Sequence, residues 1–152
     1  MMMNMNEPRR NGKRLRVRLG LLVAVLGLIV FILGVNPGIF GADRSPVVGF
    51  VQIAVFLIGL ALICIGGFVA LDALWSGLEK TIAADIGYRL VATGYVISVA
   101  SGMADIFGFG RQPLPNIPYF GPFQATGVVI GILVVISGFI LMTPRRSTRN
   151  GA

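Results

Sequence analysis

Two stretches decide the fold: Gly49 to Phe68, GFVQIAVFLIGLALICIGGF, and Gly121 to Ile140, GPFQATGVVIGILVVISGFI. Neither contains a charge. A helix rises about 1.5 Å per residue, so about 20 residues cross a hydrocarbon core of about 30 Å, and each stretch reads as a membrane span. Placed 72 residues apart, they share Gly49/Gly121, Gln52/Gln124, Ile58/Ile130, Gly59/Gly131 and Gly66/Gly138, a frame of G-x2-Q-x6-G-x6-G. The preceding segments also correspond, with Phe40-Gly41 and Arg44-Ser45-Pro46 against Phe109-Gly110 and Arg111-Gln112-Pro113. Two further apolar runs open alike, at Arg18-Leu19 and Arg89-Leu90. The expected unit is therefore a helical hairpin present twice. Each copy has two spans, so both copies point the same way and their pseudo-twofold axis lies along the membrane normal.

The composition of all 152 residues agrees with this reading. The apolar set is 55% of the chain, charged residues are 12%, and mean hydropathy is +0.85. A water-soluble domain carries about 25% charged residues, so a soluble enzyme and a disordered chain are both excluded. Four spans are expected, at 19–40, 47–71, 87–108 and 121–142. The segments outside them are too short for a folded extramembrane domain. The first apolar run is longer than the core of a cleaved signal and lacks a small-x-small site, so it is read as a span.

Orientation follows the basic residues. Arg9, Arg10, Lys13, Arg14, Arg16 and Arg18 precede the first span; Lys80 and Arg89 lie between the second and third; Arg145, Arg146 and Arg149 follow the last. Only Arg44 and Arg111 fall in the other two loops. The expected protein is an all-α integral membrane protein, a four-helix bundle of two repeated hairpins. It sits in the cell membrane with both termini cytoplasmic. Its parts are a basic arm (1–18), a first hairpin (19–71), a connector (72–86), a second hairpin (87–142) and a basic tail (143–152). The connector, with Leu71, Leu74, Leu78 and Ile82 at helical spacing, reads as a short amphipathic helix flanked by the interfacial rings of Trp75 and Tyr88. The loop before the fourth span, with Pro113, Pro115, Pro118 and Pro122, reads as an extended cap whose Tyr119, Phe120 and Phe123 form the opposite aromatic belt.

Glycine spacing says how the helices meet. Gly20, Gly27 and Gly34 recur every seven residues in the first span. Gln52, Gly59 and Gly66 do so in the second, Gly87, Gly94 and Ser101 in the third, and Gln124, Gly131 and Gly138 in the fourth. A seven-residue period keeps positions on one seam of a left-handed bundle, and small seam residues let backbones approach where lipid provides no hydrophobic force between helices. The Gly94-Ser98-Gly102 and Gly127-Gly131 ladders could also serve contacts between subunits.

Candidate chemistry is sparse. The chain has no histidine and one cysteine, Cys64, inside an apolar run, so no metal site and no cofactor are expected. No nucleophile-base pair, phosphate loop or carboxylate pair is present, which argues against an enzyme. Gln52 and Gln124 are expected to bond across helices and are the first candidates for a small polar site, because a buried amide is costly without a partner. Asp105 is the acid nearest a span interior; its depth places it close to the headgroups, where Arg111 or Arg44 could pair with it. The basic arm lacks interleaved aromatics and abuts a span, so it reads as charge resting on anionic headgroups, with no nucleic-acid role. The expected partners are the lipid bilayer and either other membrane subunits or a second copy, met through the glycine seams. The function expected is a structural, accessory or assembly subunit of a membrane complex, with a homo-oligomeric small transporter or channel as the alternative.

Overall fold

The computed structural model describes residues 7–36, 38, 49–108 and 121–144. They form four helices: α1 (Glu7–Val35), α2 (Phe50–Trp75), α3 (Ile82–Gly102) and α4 (Pro122–Met142). All four are long and apolar enough to cross a membrane, the mark of a multi-pass membrane protein, and no strand occurs among the described residues. Arg44, Arg111, Pro113, Pro115, Pro118, Tyr119, Phe120 and the tail arginines Arg145, Arg146 and Arg149 lie outside the described residues, as do the expectations resting on them.

The helix ends differ from the sequence expectation in four places. The basic arm is not separate from the first span: α1 begins at Glu7 and runs unbroken through Arg18. Pro8 sits in its first turn, where a missing N–H costs nothing, and the Lys, Arg and Leu that follow favour helix. At its other end α1 stops at Val35 rather than 40, because Pro37 disfavours helical backbone at Asn36. The third difference is the connector 72–86, which is not one amphipathic helix. α2 continues to Trp75, the chain turns through Gly77 at φ +87°, and Thr81 starts α3 by accepting the Ala84 N–H at 3.3 Å. The third span also ends earlier than expected, at Gly102, and 103–108 are turns that close at Gly108 with φ +78°.

Within each hairpin the helices meet backbone to backbone. A Cβ on Gly20 would lie 2.7 Å from the Gly66 carbonyl oxygen, and one on Gly27 would lie 2.9 Å from that of Gly59. In the second hairpin a Cβ on Gly87 would lie 2.6 Å from the Gly138 oxygen, and one on Gly94 would lie 2.5 Å from the Gly131 oxygen. Gly34 and Gly59 are equally tight, against Phe56 and Phe31. Real side chains do not tolerate such distances, so these positions accept only hydrogen.

Between the hairpins the packing is made by side chains instead. α2 is the shared helix: 39% of its most apolar window is buried, against 17% for α1, which packs on α2 and hardly touches the second hairpin. Leu60 and Cys64 of α2 meet Val91, Val135 and Met142 in one cluster; Ile53, Phe56 and Leu57 meet Val128 in another. Rings fill the wider gap. Phe68 stacks on Tyr88 at 5.4 Å and meets Phe139 edge-on at 6.3 Å.

Substituting a seam glycine is therefore expected to push helices apart. Gly27→Ala or Gly94→Ala should cost about 1–3 kcal/mol by overpacking. Gly12→Ala, whose Cβ would meet nothing within 4 Å, should hold or slightly raise stability. Detergent-induced unfolding followed by the fluorescence of Trp75, the single tryptophan, measures both.

Candidate functional site

Polar side chains gather at the two ends of the bundle. At one end α1 starts, α2 passes into α3 and α4 finishes; we call this the basic end. The last carbonyls of a helix have no partner within it, and here side chains of neighbouring helices supply the donors. Lys13 donates Nζ to the carbonyl oxygens of Leu74 at 3.2 Å and Ser76 at 3.5 Å, capping α2 with a cation where the helix dipole is negative. Trp75 donates Nε1 to the Met142 oxygen at 2.7 Å, capping α4. Trp75 is only 6% exposed, so it is not the interfacial ring expected from sequence but an inward-turned tie between hairpins.

Beside it lies a second tie. Lys80 Nζ is 2.7 Å from Asp72 Oδ1, Tyr88 donates its hydroxyl to the same oxygen at 2.9 Å, and the ammonium lies 4.9 Å from the Tyr88 ring centroid. The hydrogen bond to the Asp72 carboxylate raises the Lys80 pKa above the usual lysine value, so the ammonium stays charged. From sequence, Tyr88 is expected as an interfacial ring and Lys80 as an orienting charge, with no contact between them. Their even spacing, eight residues from Asp72 to Lys80 and eight more to Tyr88, is the signal that marks them once the chain is known to turn at Gly77.

At the opposite end, the two glutamines occupy the same place in their helices and do different work. Each is the third residue after a glycine N-cap, Gly49 or Gly121. Gln52 reaches across to α1, donating Nε2 to the Val35 oxygen at 3.5 Å. Gln124 turns back instead, its Oε1 accepting the N-cap Gly121 N–H at 3.2 Å, and among the described residues it makes no bond across helices. Gln52 also lines a groove of about 260 Å³ between α1, α2 and α4, with Phe31, Phe56, Val128 and Ile132 among its walls; Gln124 is not part of it. The structure thus does not bring the glutamines to one site.

Asp105 lies in the turns after α3, half-buried, and no cation pairs with its carboxylate among the described residues. Inside the bundle the buried polar side chain is Ser98, fully buried, whose hydroxyl donates to the Gly94 oxygen at 3.0 Å and lies 3.4 Å from the Val128 oxygen. It sits against Gly131, as Ser101 sits against Gly127. Within the chain, the small-residue ladders of α3 and α4 thus pack against each other. Among the described residues no group of three metal-ligating side chains exists, and no buried side-chain nitrogen or oxygen lacks a partner.

No family model, curated protein or solved structure matches the chain.

The two ties at the basic end should differ in weight. Trp75→Phe leaves a buried carbonyl without its donor and is expected to cost about 1–3 kcal/mol. Asp72→Asn, on a half-exposed ion pair, should cost less than about 1 kcal/mol. Circular dichroism during thermal unfolding in detergent separates them.

Proposed function

We propose that this chain is a non-enzymatic structural or accessory subunit of a larger membrane complex. It is built from two copies of one helical hairpin and sits in the cell membrane with both termini cytoplasmic. The observation that carries this reading is the state of the interior. Seam glycines close each hairpin, rings and aliphatic side chains fill the space between hairpins, and Ser98, the buried polar side chain among the described residues, spends its hydroxyl on backbone oxygens. Among the described residues such an interior is packed with apolar side chains and carries no continuous polar path. What the chain offers is its outer surface, and α1 offers most, with Leu22, Leu26 and Ile29 exposed along it.

The duplication is supported by matching rungs. Gly20 faces Gly66 and Gly27 faces Gly59 in one hairpin; Gly87 faces Gly138 and Gly94 faces Gly131 in the other. Each hairpin therefore uses its heptad glycines in the same order from the same end. Orientation rests on the basic residues at the end where Lys13, Arg14, Arg16, Arg18, Lys80 and Arg89 gather.

Purification of the tagged full chain from its native membrane in mild detergent, followed by native mass measurement, tests the assignment. Foreign membrane subunits in fixed stoichiometry are expected. A homo-oligomer alone would overturn the accessory reading in favour of a small transporter or channel, with Gln52 the first residue to mutate in a flux assay.

A further inference from the structure

From the basic end we infer a site for the headgroup of an anionic glycerophospholipid, held between α1 and the last turn of α2. A groove of about 460 Å³ opens there, lined by Lys13, Arg14, Val17, Arg18 and Leu74. Three of the five are cations, and their aliphatic stems with Val17 and Leu74 make the walls mainly apolar. Lys13 is already fixed at the base of the groove by its bonds to the Leu74 and Ser76 oxygens, and an ammonium has a third proton left to donate.

Arg14 and Arg18 stand one turn apart on α1. Like charges at that spacing repel, and an anion bridging them removes the repulsion. None of the described residues supplies one: Asp72 is taken by Lys80 and Tyr88, Asp85 by Arg89, and no described carboxylate pairs with either arginine. A guanidinium binds phosphate oxygens through paired N–H donors, so a phosphodiester is the anion this arrangement fits.

The aliphatic walls identify the rest of the molecule. Val17 and Leu74 line the groove beside the cations, and the charge-free run of α1 begins immediately after Arg18. Leu21 and Val25 continue the same helix face and are 59% and 47% exposed. A phosphate in the groove thus has an apolar track directly behind it. Free phosphate or a nucleic acid leaves that track bare; an acyl chain covers it.

Native mass spectrometry of the full chain in detergent tests the site, with phosphatidylglycerol and phosphatidylcholine of identical chains added at equal concentration. The wild type should retain phosphatidylglycerol in preference. Arg14→Gln with Arg18→Gln should lower that retention about thirtyfold, the loss expected for two surface cations at about 1 kcal/mol each. Arg16→Gln with Arg89→Gln removes the same charge outside the groove and should leave retention near the wild-type value. An excess of inorganic phosphate should not displace the lipid. Equal retention of the two lipids by the wild type, equal loss in both double variants, or displacement by free phosphate would each overturn the site.

Discussion

The close approach of paired backbones at glycine is the constraint from which the rest of this structure follows. In a bilayer, apolar side chains gain little by leaving lipid for one another, so helices hold together where their backbones and side chains fit tightly. Gly20, Gly27, Gly59 and Gly66 create that fit in the first hairpin, and Gly87, Gly94, Gly131 and Gly138 in the second. Ser98 strengthens the second seam, since it replaces a lipid-facing hydroxyl by one bonded to backbone oxygens on both helices. Because a glycine presents no side chain, the approach admits no compromise rotamer. Each hairpin behaves as one stiff element.

The contact between hairpins obeys different rules. It is wider, filled by Phe68, Tyr88, Phe139 and the aliphatic clusters around Leu60 and Leu57. Such packing tolerates substitution better than a backbone contact. Its polar ties among the described residues, Trp75 to Met142 and Asp72 to Tyr88, lie at the basic end. The opposite end carries the groove lined by Gln52, where α1 and α4 stand apart over α2. Each end has a helix C-terminus that takes a donor from a neighbour: Leu74 and Met142 at the basic end, Val35 at the other.

Much of this is legible in the residues themselves, and the limits are physical. The four charge-free runs mark the helices because nothing else crosses hydrocarbon, and the heptad spacing marks the faces on which glycines stand. The helix ends are less legible: Arg14, Arg16 and Arg18 end a membrane span but not a helix, so charge and backbone conformation stop at different places. The connector failed as a single helix because Leu74 and Leu78 keep helical spacing across Gly77, whose positive φ turns the chain. Among the candidate residues, position within a helix did not reveal use. Gln52 and Gln124 are equivalent along the sequence, yet Gln124 bonds the N-cap amide of its own helix while Gln52 reaches α1. The capping roles of Lys13 and Trp75 are not legible in sequence, because they depend on which helix lies alongside, and no local pattern encodes that.

The claim on which everything rests is that the helices of each hairpin touch through glycine. Solid-state NMR of the full chain in lipid, labelled with carbon-13 only at glycine, tests it most directly. Through-space cross-peaks are expected for Gly20 with Gly66, Gly27 with Gly59, Gly87 with Gly138 and Gly94 with Gly131, all distant in sequence and adjacent in space. A spectrum showing only correlations between glycines close in sequence would contradict the paired seams and the architecture built on them.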